Sequence, residues 1–274
     1  MTESKKHEDY LLGVNKSEFD RLRFQHSIWS PVTMKLFQRI GVQRGWQCLD
    51  VGAGPGFVSF DLRELVGSEG AVTALEPSPF YLQWLKDRAA SNHWTNVHCL
   101  QGTAETATLP SHSFDLVFVR WVIAFVPDPE QFLIPLFRAL KPGGVIAIQD
   151  YYYEGLSLFP HGGPCDEMSS IVRAYYRFGG GDPYVTGRIP PILRAHGLTL
   201  TDFTPTCMSG GPSSEIMDWA YQFFEIHIPL MAEKGVLSHD QSLALMADWN
   251  AHRKNPDALF FSPLVVDIAA TTPR

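Results

Sequence analysis

The feature that most constrains the fold is a regular alternation of short apolar runs and helix-compatible stretches between residues 47 and 150. The apolar runs lie at 48–51, 71–75, 96–100, 114–119 and 145–148. The fourth run is apolar at nearly every position, which is typical of a strand buried on both faces. Alternation at this spacing predicts an α/β fold with a Rossmann-like, doubly wound and mostly parallel sheet.

The alternation and the sequence on either side of it divide the chain into three predicted regions. Residues 1–44 form an N-terminal tail and a helical cap of two helices, the second of which starts at Pro31. Residues 45–205 form the ligand-binding core, with a lid-like insert at 154–186 that is rich in glycine, proline and aromatic residues. Residues 206–274 supply a helical insertion of two amphipathic helices and a final strand from 258–261 and 264–268, which we expect to be antiparallel to the others.

Composition argues against several classes of function. The formal net charge of −7 gives no electrostatic footprint for nucleic acid or for an anionic membrane. No apolar run approaches the roughly 18 residues of a membrane helix, and the first ten residues lack the apolar segment of a signal peptide. The four cysteines are far apart and form no metal-binding pair. We therefore expect a reduced, cytoplasmic protein without a metal site, either a monomer or a homodimer.

The residues after the first predicted strand form the strongest motif, Asp50-x-Gly52-x-Gly54-x-Gly56. Glycines let the backbone approach a ligand closely, and the start of the following helix offers free N–H groups to a negative group. A dinucleotide site would need a small residue where Phe57 stands, and Asp50 would repel a pyrophosphate. The motif therefore favours a cofactor that carries an ammonium group.

Five markers, in order along the chain, resemble the class I S-adenosylmethionine (SAM) dependent methyltransferases. The markers are Leu49 to Gly56, Glu76, Gly102 to Glu105, Phe114 to Val117, and Leu140 to Gly144. The resemblance covers roughly residues 45–205 and is closest to the small-molecule branch that includes the ubiquinone and menaquinone C-methyltransferases. It implies methyl transfer from SAM to an O, N or C atom of a small molecule, with S-adenosylhomocysteine (SAH) as product.

The resemblance also implies which residues bind the cofactor. They are Asp50, Gly52, Ala53, Gly54, Gly56, Glu76, Pro77, Thr103, Ala104, Glu105, Arg120 and Trp121. The glycine loop and Asp50 would hold the methionine end, and Glu76 would accept the ribose hydroxyls. Thr103 stands where the family often has Asp, so the N–H of Ala104 or the side chain of Glu105 would contact the adenine. The backbone carbonyl of Arg120 would contact the ammonium group.

The sequence does not identify a catalytic residue. His26, His161 and Tyr151 are weak candidates for a general base, and for both histidines a structural role is favoured. Aromatic residues between 151 and 178 predict a covered pocket for an apolar or aromatic acceptor, with Tyr151 and Tyr153 on one face of their strand. The alternatives are a SAM-binding regulator without turnover and, less favoured, an NAD(P)-dependent dehydrogenase.

Overall fold

The computed structural model describes residues 16–274, so the predicted tail that precedes them lies outside the described residues. The helices are α1 (Lys16–Ile40), α2 (Phe57–Val66), α3 (Pro79–Ser91), α4 (Pro129–Ala139), α5 (Met168–Phe178), α6 (Val185–Ala195), α7 (Glu215–Glu233) and α8 (His239–His252). The strands are β1 (Gln47–Val51), β2 (Ala71–Glu76), β3 (Val97–Gln101), β4 (Phe114–Arg120), β5 (Leu140–Tyr152), β6 (Ser157–Phe159), β7 (Thr199–Thr206), β8 (Ser209–Gly210), β9 (Leu259–Phe261) and β10 (Leu264–Thr271).

A seven-stranded sheet in the order β3-β2-β1-β4-β5-β10-β7 forms the centre of the molecule. The strands from β3 to β5 pair in parallel, whereas β10 is antiparallel to both of its neighbours. The predicted fold class, including the antiparallel last strand, is confirmed. The chain order reverses between β1 and β4, and ligands of such sheets bind at the carboxyl ends of the strands near this point.

The prediction of two helices in the cap is wrong, because α1 runs without a break through Pro31. A proline inside a helix removes one hydrogen bond and costs about 3 kcal/mol. Packing on both sides offsets this cost: Trp29 and Thr33 are completely buried, and Thr33 Oγ1 donates to Gln149 Oε1 over 2.7 Å. Tertiary contacts therefore decide the course of the chain at Pro31, and local propensity does not.

The C-terminal region also differs from the prediction at one point. The sequence predicts that residues 258–261 join the last strand, but β9 forms a separate three-stranded sheet with β6 and β8. Phe260 is buried on one face of this small sheet, while Leu259 and Phe261 are exposed on the other. The two predicted helices are confirmed as α7 and α8, whose first turns are capped by the side chains of Ser214 and Ser238.

Helices α7 and α8 pack on each other, and α7 also packs on α1. This arrangement puts α1, α7 and the small sheet above the carboxyl ends of the parallel strands. No helix within residues 16–274 is long and apolar enough to cross a bilayer.

Candidate functional site

A cavity of about 790 Å³ lies where the parallel strands end, beneath α1 and α7. Two walls of different character enclose it. The strand-end wall is formed by Asp50, Gly52, Ala53, Gly54, Glu76, Pro77, Thr103, Ala104, Glu105 and Arg120. The apolar wall is formed by Leu22, Gln25, Tyr151, Tyr153, Leu156, Val172, Tyr176, Trp219, Phe223, Phe224 and Phe260. Trp121 lies in the lining after β4.

The loop of the strand-end wall needs glycine for two different reasons, the backbone conformation and, at Gly52, the close approach of a neighbouring side chain. Gly52 and Gly54 have φ angles of 68° and 55°, a left-handed conformation that disfavours other residues. A Cβ atom on Gly52 would lie 2.4 Å from Val122 Cγ2, whereas one on Gly54 would meet nothing within 4 Å. Helix α2 then begins at Phe57 without a side-chain cap from Gly56. The Ser59 N–H donates to Asp50, which leaves the N–H groups of Phe57 and Val58 available to an anionic group.

Asp50 is buried at the end of β1, and its Oδ2 atom accepts a 2.6 Å hydrogen bond from Ser59 Oγ. Burial raises the pKa of this carboxyl group to about 6, although Ser59 and the positive charge of Arg120 oppose the shift. A cation bound next to Asp50 would lower this pKa and be held by the carboxylate.

Glu76 connects the end of β2 to the glycine loop. Its Oε2 accepts from the N–H of Gly54 and its Oε1 from the N–H of Ser78, both over 2.8 Å. Burial raises the pKa of Glu76 to about 7, against the effect of these two N–H groups. Each carboxylate oxygen keeps a second acceptor position, so the pair fits two adjacent hydroxyl groups.

Arg120 places a half-buried guanidinium group in the lining, at the end of β4. Its Nη1 donates to Thr33 Oγ1 and its Nη2 lies 3.1 Å from His26 Nδ1. Burial and the charge of Arg120 lower the pKa of His26 to about 3, so this histidine is neutral and accepts at Nδ1. The Nε2 atom of His26 is 3.4 Å from Asp61 Oδ2. His26 therefore accepts a hydrogen bond from Arg120 and orients its guanidinium group without itself lining the cavity.

Trp121 and Tyr151 lie side by side where the two walls meet. Their rings stack at 5.7 Å with an interplanar angle of 14°. Trp121 has a φ angle of 54°, which is uncommon outside glycine and is typical of strain at functional sites. Burial raises the pKa of Tyr151 well above its usual range, so its hydroxyl stays protonated and can donate a hydrogen bond.

Of the residues that the resemblance implied, all except Gly56 contribute to the cavity lining. The Thr103 N–H is occupied by Thr106 Oγ1, while Glu105 is exposed at the rim. Among the candidate bases, only Tyr151 lines the cavity. His161 is exposed and contacts Asp166 over 2.9 Å, outside the lining. Within residues 16–274 no cluster of three or more potential metal ligands occurs.

The predicted aromatic pocket is formed by only some of the expected residues. Tyr151, Tyr153 and Tyr176 line the cavity, and the hydroxyl groups of the last two are 3.4 Å apart. Phe159 and Phe178 are 48% and 57% exposed, so their assignment to the pocket is wrong. Phe159 lies on the outward face of the small sheet, while the adjacent Leu158 points inward and is buried. Phe178 is the last residue of α5.

Sequence reasoning missed the residues that close the cavity from above. Gln25 of α1, Trp219 and Phe223 of α7, and Phe260 of β9 all line it. An amphipathic pattern in α7 predicts a buried face but does not say what this face covers. No local motif marks these residues, because three separate segments bring them together.

Three comparisons are consistent with this site. A family model described as a methyltransferase domain matches residues 43–172. A demethylmenaquinone methyltransferase of Listeria monocytogenes serotype 4a is 36% identical over 125 residues, which are 46% of this chain and 52% of the relative. The chain thus spans about half the length of this relative. A demethylmenaquinone methyltransferase of Staphylococcus epidermidis is 32% identical over 182 residues, covering 64% of this chain and 70% of the relative.

A solved structure of a putative methyltransferase from Bacillus halodurans shares the fold. Its TM-score is 0.60 at 18% sequence identity, and the match covers 88% of this chain and 98% of that one. At this identity the likeness concerns the fold alone.

Proposed function

Because the chain belongs to the class I SAM-dependent methyltransferases, we propose that it transfers a methyl group from SAM to an O, N or C atom of an apolar or aromatic small molecule. The observation that carries this proposal is the joining of two unlike walls in one cavity. The strand-end wall carries carboxylates, a guanidinium group and turned backbone, and the apolar wall is mostly aromatic.

The strand-end wall fits the chemical groups of SAM one by one. Asp50 offers a negative charge for the ammonium group of the methionine end, and Arg120 with the first turn of α2 offers positive charge for its carboxylate. Glu76 has two acceptor positions for the two ribose hydroxyl groups. With the Thr103 N–H already occupied, the backbone of Ala104 or the carboxylate of Glu105 would contact the adenine.

SAM supplies a methyl group on a positively charged sulfur, which is an already activated carbon. The protein has to align an acceptor atom about 3–3.5 Å from that carbon and exclude water. Trp121 and Tyr151, at the junction of the walls, are placed to shape this position. Tyr151 would act as a hydrogen-bond donor and not as a base, since burial keeps its hydroxyl protonated.

The acceptor would lie against the apolar wall. Its aromatic side chains favour a flat or largely apolar molecule, which would share the cavity of about 790 Å³ with SAM. The segments at the ends of β1 to β4, which would position the cofactor, and the apolar wall from α1, the end of β5, α5, α7 and β9, which would hold the acceptor, would thus serve different partners.

Turnover tests the proposal. The full chain is incubated with methyl-labelled SAM and a mixture of apolar aromatic metabolites that carry hydroxyl, amino or activated carbon positions. We expect SAH to form and label to enter the organic extract. Tight SAM binding without SAH formation would instead support a non-catalytic regulator, and failure to bind SAM would contradict the proposal as a whole.

A further inference from the structure

The apolar wall contains one side-chain amide group, that of Gln25 on α1. Hydrogen bonds from neighbouring side chains fix its orientation. Gln25 is buried and lines the cavity together with Trp219 and Phe223 of α7. Resting on the proposed function, we propose that Gln25 orients the acceptor by donating a hydrogen bond from Nε2 to one of its oxygens. The substrate class is then an apolar or aromatic molecule that bears a carbonyl or similar hydrogen-bond-accepting oxygen.

Two donors fix the orientation of the Gln25 amide. Its Oε1 atom accepts from Arg21 Nη1 over 2.9 Å and from Trp219 Nε1 over 3.0 Å. Guanidinium and indole N–H groups can only donate, so the atom that faces both of them must be the oxygen. The amide nitrogen consequently points away from this pair, and the usual ambiguity between the two ends of an amide does not apply.

The Nε2 atom of Gln25 has no hydrogen-bond partner within residues 16–274. It is also not one of the described buried polar atoms that lack a partner, so it retains accessible surface. Since Gln25 as a whole is buried and lines the cavity, this surface faces the acceptor space. An acceptor that covered this N–H group without bonding to it would leave a buried donor unsatisfied, which is costly.

The surroundings favour a neutral oxygen over a carboxylate. The Arg21 guanidinium is engaged by Glu18 through two hydrogen bonds of 2.8 and 2.7 Å, so its charge is compensated within α1. Arg21 also lines the cavity, but with its charge compensated we expect the Gln25 amide to be the group of α1 that selects the ligand. Trp219, which donates to Gln25 Oε1, also packs on Trp29 at 5.6 Å. This ring contact helps to hold the indole N–H toward Gln25.

A chain of aromatic rings relates Gln25 to the junction of the two walls. Trp29 packs edge-on against Trp121 at 6.0 Å, and Trp121 stacks on Tyr151. The Tyr151 hydroxyl and Trp121 Nε1 are further donors of this part of the lining that lack a hydrogen-bond partner within residues 16–274. An oxygen bound at Gln25 would thus orient the acceptor ring relative to the junction, where the methyl group is delivered.

A matched pair of probes tests the inference. The binding of 2-acetylnaphthalene and of 2-ethylnaphthalene, which differ by the carbonyl oxygen, is measured on the SAH-loaded full chain by tryptophan fluorescence. We expect the ketone to bind about tenfold more tightly, the worth of one hydrogen bond to a buried donor. In Gln25→Glu, which keeps oxygens for Arg21 and Trp219 but removes the donor, the preference should disappear.

Unchanged SAH affinity and thermal unfolding of Gln25→Glu serve as the folding control. Equal affinities of the two probes for the wild-type protein would overturn the inference, as would a preference that persists in Gln25→Glu. Failure of both probes to bind would overturn it together with the apolar acceptor space. Failure of SAH itself to bind would contradict the proposed function. The inference about Gln25 and the proposed function can therefore fail separately.

Discussion

The two walls of the cavity differ in how the chain builds them. The strand-end wall comes from short segments that follow β1 to β4, and its shape is set by backbone turns and by carboxylates at strand ends. The apolar wall comes from α1, the end of β5, α5, α7 and β9, and its shape is set by side-chain packing. One wall is thus specified by topology and the other by tertiary contacts, so changes in each should affect different ligands.

The largest effect is expected at Gly52. In Gly52→Ala the new Cβ atom would clash with Val122 at a positive φ, at a combined cost of about 2–5 kcal/mol. We expect SAM affinity to fall on the order of a hundredfold, the equivalent of about 3 kcal/mol. Gly54→Ala is the matched control, because its Cβ atom would have free space and only backbone strain of about 1–2 kcal/mol remains. Chemical denaturation measures the unfolding free energy of both variants, and calorimetry measures their SAM affinity. Equal unfolding free energies of the two variants would refute the clash.

The second effect concerns the ribose contacts that we propose for Glu76. Charge-assisted hydrogen bonds contribute about 1.5–3 kcal/mol each, so Glu76→Ala should weaken SAM binding at least tenfold. Glu76→Gln, which keeps an acceptor oxygen without the charge, should lie between Glu76→Ala and the wild type. An unchanged calorimetric affinity in Glu76→Ala would rule out the ribose role.

The third effect is a pH dependence of the same contact. The pKa of Glu76 is raised to about 7, and the proton must leave before both oxygens can accept hydroxyl groups. SAM affinity should therefore rise several-fold between about pH 6 and about pH 8, then level off. The stability of the ligand-free protein should change in the opposite direction. The contribution of Glu76 is full below its ordinary pKa of 4.5 and is lost as the pH rises through about 7.

Titrations of the wild-type protein and Glu76→Gln over this pH range separate Glu76 from the other acids. If the rise in affinity persists in Glu76→Gln, another group is responsible. Asp50, whose pKa is raised to about 6, would be the first candidate.

The smallest effect on SAM is expected at the apolar wall. Phe223→Ala should leave SAM affinity within about twofold, while binding of an aromatic acceptor weakens by about tenfold through the loss of contact area. Phe159→Ala is the control, because this phenylalanine is exposed on the outer face of the small sheet and should affect neither ligand. A loss of SAM affinity in Phe223→Ala as large as that in Glu76→Ala would abolish the distinction between the two walls.

The sequence predicts the strand-end wall because its determinants are local. The glycine loop and Glu76 follow apolar runs directly, and parallel strands bring their carboxyl ends together. The continuity of α1 through Pro31 could not be predicted, since it depends on the burial of Trp29 and Thr33 against distant segments. Likewise, Gln25 has no local signature: its role follows from Trp219, 194 positions away in the chain.

Aromatic composition alone is a weaker guide. The segment from 151 to 178 supplies Tyr176 to the cavity but leaves Phe178, two residues later, at the surface. The two lie on different sides of α5, so the burial of one does not imply that of the other.

Binding of SAM to the strand-end wall can be measured by calorimetric titration of the full chain. We predict saturable binding of SAM with one site per chain, competition by SAH, and no binding of NADH under the same conditions. Saturable binding of NADH, or the absence of any binding of SAM and SAH, would show that the strand-end wall is not a SAM site.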